Sequence, residues 1–216
     1  MEGILFVLVE GCCWRAIDRD EASWNSIYQY YRRWCKTGLW AELLTQLGHD
    51  AAGTLRVLDA THVKVHCDGA NPAGGQSAQA MGRTKGGLNT KIHALVDNMG
   101  RPVAVVLTAG NEADITVAPG VIEGVACGYV IADKAYDSND FRALLAEMGS
   151  KTCIPPRATR TTAIGYSKTT YKKRHRVENF FQKIKRYRRV ATRYDKLAET
   201  YFGFVLLAIL ALEFAR

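Results

Sequence analysis

At 216 residues the chain suits one ordinary domain with a small appendage, and it can bury a full hydrophobic core. Its 48% hydrophobic and 23% charged residues are globular values, which excludes global disorder and collagen-like or coiled-coil chains. The net charge of +8 is one-sided: residues 151–216 hold 16 of the 29 Lys+Arg but only 4 of the 21 Asp+Glu.

A basic field confined to the last third predicts a polyanionic partner met through phosphate contacts. The six cysteines (Cys12, Cys13, Cys35, Cys67, Cys127, Cys153) are scattered without C-x-x-C spacing and read as thiols of a reducing compartment. Met1 to Leu8 is apolar but has no basic flank or cleavage pattern, and Phe202 to Leu212 is shorter than the roughly 20 residues that span a bilayer. The expectation is a soluble, cytoplasmic protein without a membrane partner.

In chain order, the first fifty residues read as helical. Ser23 is placed to cap a helix that stops at Thr37-Gly38, and a second helix follows from Leu39 to about Leu47. Trp24, Tyr28, Tyr31 and Trp34 interleave with Arg32 and Arg33, which fits either a helix-turn-helix or plain core packing. Arg56 to His66 alternates with period two and predicts a strand. Ala70 to Gly87 reads as a loop. Strands are expected over Asn89 to Asp97 and Pro102 to Thr108, joined by the turn Asn98–Arg101, so the three strands form a meander. A helix over Ile115 to Glu123 follows, then a strand over Gly128 to Ala132. The chain closes with a helix over Ser138 to Met148, a short strand Thr152–Ile154, a long helix over Thr170 to Arg189, and an apolar helix from Lys196 to about Glu213. This order predicts an α/β domain: a five-stranded mixed sheet flanked by helices over residues 51–216, preceded by a small all-α region over residues 1–50.

Three carboxylates stand at telling places. Asp59 lies mid-strand among Val57, Leu58 and Val63, where an acid is costly unless paired or bound to a cation. Asp133 closes an apolar strand, a usual position for ligand sites in α/β sheets. Glu178 lies in the basic helix. At about 100° per residue, Tyr171, Arg174, Glu178 and Lys185 share a stripe of roughly 60° beside the apolar face of Val177, Phe180, Phe181 and Ile184. That geometry aims an acid and two cations at a site that also holds phosphates. Carboxylate oxygens suit hard divalent cations, and two such ions can activate an attacking oxygen and stabilise a leaving one. His62, His66 and His93 lack accompanying Cys or His spacing, which argues against zinc.

These residues carry a family resemblance. Tyr171-x2-Arg174-x3-Glu178-x6-Lys185 matches the Y-R-E-K signature of DDE transposases from bacterial insertion sequences. Asp133-Lys-Ala-Tyr-Asp137 resembles their second-aspartate motif, and Leu58-Asp-Ala-Thr61 the first. Gly82 to His93, Arg193-Tyr-Asp-Lys196 and the opening through Trp24–Tyr28 are similar to the insertion sequence 5 family. The resemblance implies a ribonuclease H-like fold. It also implies catalysis by Asp59, Asp133 and Glu178 holding two Mg²⁺ or Mn²⁺ ions. Terminal inverted repeats and target DNA are the implied partners, and a reaction at two ends suggests a homodimer on the bacterial nucleoid. Members of the family carry several tens of further residues ahead of the segment where this chain begins, so a shortened N-terminal DNA-binding region is expected.

The DNA track is expected to comprise Tyr171, Arg174, Lys185, Arg188, Arg189 and Arg193. Two other readings compete: a truncated derivative that binds DNA and represses without catalysis, and a structure-specific nuclease of the same fold. The missing array of two Arg and a His-x-x-Arg argues against a tyrosine recombinase, although Tyr194 follows Arg193. Gly82-Arg-Thr-Lys-Gly-Gly87 is not a P-loop, so no nucleotide cofactor is expected.

Overall fold

The computed structural model describes residues 1–17, 22–46, 55–162 and 164–215. The expected domain boundary at residues 50–51 and the expected helix end near Leu47 lie outside them.

The elements are α1 (Glu2–Glu10), α2 (Trp24–Lys36), α3 (Leu39–Gln46), β1 (Leu55–Val65), β2 (Gly82–Thr84), β3 (Gly87–Val96), β4 (Pro102–Ala109), α4 (Asp114–Ile122), β5 (Tyr129–Ile131), α5 (Asn139–Glu147), β6 (Lys151–Cys153), α6 (Lys168–Tyr171), α7 (His175–Ile184), α8 (Arg188–Ala191), β7 (Thr192–Arg193) and α9 (Ala198–Phe214). Among the described residues the sheet has seven strands, ordered β2-β3-β1-β5-β6, with β4 beside β3 and β7 beside β1. The expected meander is therefore present as β1, β3 and β4. β5 runs parallel to β1 (Leu55↔Tyr129) and β6 parallel to β5, so the sheet is mixed and flanked by helices. No helix among the described residues is long and apolar enough to cross a membrane.

Three features depart from the expected elements. β2 is a short hairpin arm on β3 (Gly82↔Asn89) inside the segment read as loop. β7 is two residues that pair with Lys64 and Val65 of β1. The long basic helix is broken: α6 is followed by a 3-10 turn at Lys172–Arg174, α7 ends at Ile184, and Tyr187 is extended before α8. The β7 pairing ends α8 at Ala191, because strand and helix need different backbone angles.

Two compact units divide the chain. One gathers Met1–Gly48, His62–Thr90 and Gln182–Arg216. Its core is aromatic: Tyr31 stacks on Phe204 at 4.4 Å and donates its hydroxyl to the Thr200 carbonyl (2.6 Å), with Trp14 and Trp40 against it. Of the α2 aromatics, Tyr31 is buried in this packing and Tyr28 lies against Trp14. Ser23 caps α2 as expected, accepting from the Ser26 amide. The apolar α9 buries ten residues from Thr200 to Leu210.

The other unit comprises His49–Thr61 and Lys91–Phe181. Its core joins Leu58, Leu95, Val121, Val130, Phe141, Leu145 and Ile154. The β3–β4 turn is organised by buried Asp97, which accepts the Met99 and Arg101 amides (2.7 and 2.9 Å), while Gly100 takes φ +77°.

Candidate active site

β1 alternates its side chains, which places Asp59 two residues beyond fully buried Val57 and leaves it half-buried at 16% side-chain exposure. One carboxylate oxygen accepts the Ala60 amide (2.8 Å), the other an Nη of Arg174 (2.7 Å). Burial pushes this carboxyl up to about 6. The Ala60 amide and Arg174 oppose that shift, while the charges of Asp133 and Glu178 add to it.

Asp133 follows β5 and caps the 3-10 turn Lys134–Tyr136, its Oδ1 accepting the Ala135 amide at 2.7 Å. That bond engages one oxygen and leaves Oδ2 outside the cap. Glu178 sits in the first turn of α7, 44% exposed, and accepts the second Nη of Arg174 one helical turn away. A single guanidinium therefore bridges Asp59 and Glu178, 115 residues and four residues distant in sequence. The Tyr171 ring lies 5.9 Å from that guanidinium, and burial holds the Tyr171 hydroxyl above its ordinary value.

The structure thus brings Asp59, Glu178, Arg174 and Tyr171 together, with Asp133 in the electrostatic field of Asp59. Three hard oxygen donors whose mutual repulsion and burial raise Asp59 fit a divalent cation, which would replace the charge Arg174 supplies. Among the described residues, His66, Cys67 and Asp68 are the group with ligand atoms drawn within 4.8 Å of one another. That group lies on an exposed 3-10 turn in the other unit, and the Asp68 amide already occupies His66 Nδ1. Buried His93 hydrogen-bonds Thr108 (2.7 Å).

The expected DNA track needs correction. Arg189 is buried, forms a two-pronged pair with Asp195 (3.1 and 3.0 Å) and contacts the Phe204 ring. Arg193 is fully buried and donates to Thr90 (2.6 Å) and to the Asp195 carbonyl (3.0 Å). Both guanidinia serve the fold, and a DNA backbone cannot reach them. Arg188 is 73% exposed. Lys185 donates to the His62 carbonyl (2.8 Å), and burial pulls its amine down.

Sequence reasoning also missed a cluster beside Asp133. Asp137, almost fully buried, receives Arg142, Arg160 and the Arg157 amide. The signal available was a carboxylate inside the second-aspartate motif followed by three arginines. Tyr136 is fully buried with its hydroxyl unpartnered, and burial, then the charges of Asp114, Asp59 and Asp133, push that hydroxyl far up.

The family described as "Transposase DDE domain" matches residues 50–212. The family described as "Putative transposase of IS4/5 family" matches residues 1–44. The "Putative transposase for insertion sequence element IS6501" of Brucella ovis is 40% identical over 123 residues, covering 56% of this chain and 95% of that protein.

Proposed function

Because this chain belongs to the DDE transposases of bacterial insertion sequences, we propose that it cleaves transposon ends and joins the freed 3′-hydroxyls to target DNA by two-metal phosphodiester chemistry. The observation that carries the reading is the single Arg174 guanidinium shared by Asp59 and Glu178, with the Asp133 charge acting on Asp59.

Asp59, Asp133 and Glu178 would hold the Mg²⁺ or Mn²⁺ pair, one aspartate from β1, the other from the turn after β5 and the glutamate from α7. When bound, such a pair lowers the cost of forming an oxygen nucleophile and of expelling the bridging oxygen. The carboxylates orient it, and each must be deprotonated to do so. Arg174 pairs with both Asp59 and Glu178 in the metal-free protein and would become available to a phosphate when they are otherwise occupied. Burial raises the Tyr171 and Tyr136 hydroxyls, so neither is activated as a nucleophile. With three acids, two metals and no positioned nucleophilic side chain, the attacking group in this reading is water in cleavage and the DNA 3′-hydroxyl in joining, without a covalent protein–DNA intermediate. Inverted repeats and target DNA are the proposed substrates, and a homodimer serves the two ends.

The test is Asp133→Asn on end-bearing DNA with Mg²⁺ or Mn²⁺. End binding should survive, and nicking and strand transfer should both disappear. Undiminished cleavage by the variant, or a phosphotyrosine adduct on a denaturing gel, would sink the mechanism.

A further inference from the structure

The turn that presents Asp133 is three residues long, and one 3-10 turn holds its shape poorly by itself. Here it is gripped from two sides. Arg157 donates to the Lys134 carbonyl (3.1 Å) and to the Ala135 carbonyl (2.5 Å). Asp137, at 1% side-chain exposure, accepts Nε and Nη2 of Arg160 (both 2.9 Å), Nε of Arg142 (2.8 Å) and the Arg157 amide (2.8 Å). Arg142 runs on to Thr152 Oγ1 (3.3 Å) and the Ile154 carbonyl (2.8 Å) at the end of β6, and Arg160 to Asn139 Oδ1 (2.8 Å) at the start of α5. The Tyr136 ring of the same turn is sunk in the apolar core.

A buried carboxylate and its guanidinia are a costly way to shape a turn, since the desolvation of each charge offsets much of the attraction. The network does not cap α5 either: Ser138 is its N-cap and makes no side-chain cap bond. What the network does control is the Lys134–Ala135 peptide group. Its N–H, on Ala135, donates to Asp133 Oδ1, and its C=O, on Lys134, is held by Arg157, which also holds the next carbonyl. A metal-binding carboxylate must be held to within about 0.5 Å, and its supporting shell does the holding.

We propose that Asp137, Arg142, Arg157 and Arg160 form a positioning device that fixes the Asp133 carboxylate for a divalent cation, an inference resting on the reading of Asp133 as a ligand. Arg157 and Asp137 are its two handles: one acts on the peptide groups of the turn, the other locks the turn to β6 and α5. None of the four is a catalytic residue.

Arg157→Gln and Asp137→Asn test it in the full chain. Arg157 is exposed, so its variant folds even if loss of the buried carboxylate does not permit the second to fold. Two readouts apply: hydrogen exchange at the Ala135 amide in metal-free protein, and Mn²⁺ affinity without DNA, followed by electron paramagnetic resonance. Arg157→Gln should speed Ala135 exchange and weaken Mn²⁺ binding by about tenfold or more, the usual effect of losing an outer-shell partner. Arg157→Lys should recover part of both, with the melting temperature little changed. Folded variants with wild-type Ala135 exchange and wild-type Mn²⁺ affinity overturn the proposal, whatever their melting temperature. If instead Asp133→Asn binds Mn²⁺ as tightly as the native chain, the ligand reading of Asp133 fails. Ala135 exchange in Arg157→Gln then reports by itself whether the turn is held.

Discussion

If Asp59 and Glu178 hold a cation as proposed, Arg174, which pairs with both, is its competitor as well as their support. Its guanidinium compensates two carboxylates at once. Arg174→Gln should tighten Mn²⁺ binding to the DNA-free protein several-fold, because the entering cation no longer displaces a resident charge; about 1.4 kcal/mol corresponds to tenfold. End binding should weaken at the same time. An unchanged Mn²⁺ affinity would show that the arginine and the metal do not contend for the same oxygens. Asp59 adds a pH signature. Its carboxyl titrates near 6, above the ordinary value of about 3.9, so between these limits the folded protein binds more protons than the unfolded chain. Stability from this group accordingly falls as pH rises through that window, and its full cost is present above about pH 6. Asp59→Asn should flatten the melting profile between pH 4 and 6 and raise stability near pH 7 by about 1 kcal/mol or more. A variant that melts no higher than wild type at pH 7 counts against burial as the cause. Asp137 behaves oppositely. Burial pushes it up, but Arg160, the Arg157 amide and Arg142 prevail and hold it well below the carboxylate range, so its contribution is lost only in acid.

Among the elements, those with strong local signals were legible in the sequence. Ser23 capping, the period-two run of β1, the Asn98–Arg101 turn and the apolar strand before Asp133 all stand where they were expected. The i, i+4 relation of Arg174 to Glu178 was also readable, although the helix it was drawn on breaks at Lys172–Arg174. What could not be read depends on distant partners. Gly82–Thr84 becomes a strand only because β3 returns beside it, and Thr192-Arg193 only because β1 offers Lys64 and Val65. Arg189 and Arg193 looked like their basic neighbours until Asp195 and Thr90 closed on them. Close packing yields a further expectation in α9. A Cβ at Gly203 would meet the Cys35 sulfur and, at 2.9 Å, the Tyr31 hydroxyl, so the helix approaches α2 only because this position has no side chain. Gly203→Ala should cost about 1–3 kcal/mol, lowering the melting temperature by several degrees; a variant as stable as the parent would show that α2 and α9 pack loosely.

For the whole molecule, the uneven charge predicts strongly salt-dependent DNA binding, since each neutralised phosphate contributes about −0.9 to the slope of log K against log salt. Not every cation of the basic third takes part. Arg188→Ala should shallow the slope by about one unit, because its side chain is 73% exposed. Arg189→Ala should instead lower the melting temperature by stranding Asp195, and leave the slope of the folded fraction unchanged. Equal slopes for wild type and Arg188→Ala would place the DNA path elsewhere on the protein.

The strand that bears Asp59 also sets a timetable. Its first residues pair with β5, 74 positions later, but Lys64 and Val65 pair with Thr192 and Arg193. At about 5–20 residues per second, roughly 6–26 s of synthesis separate Val65 from Arg193. For that interval the far end of β1 is an open edge, with backbone donors and acceptors able to pair with another nascent chain. Ribosome-stalled products that stop before Thr192 should therefore aggregate more readily than the finished protein, and the last strand to form is also the shortest.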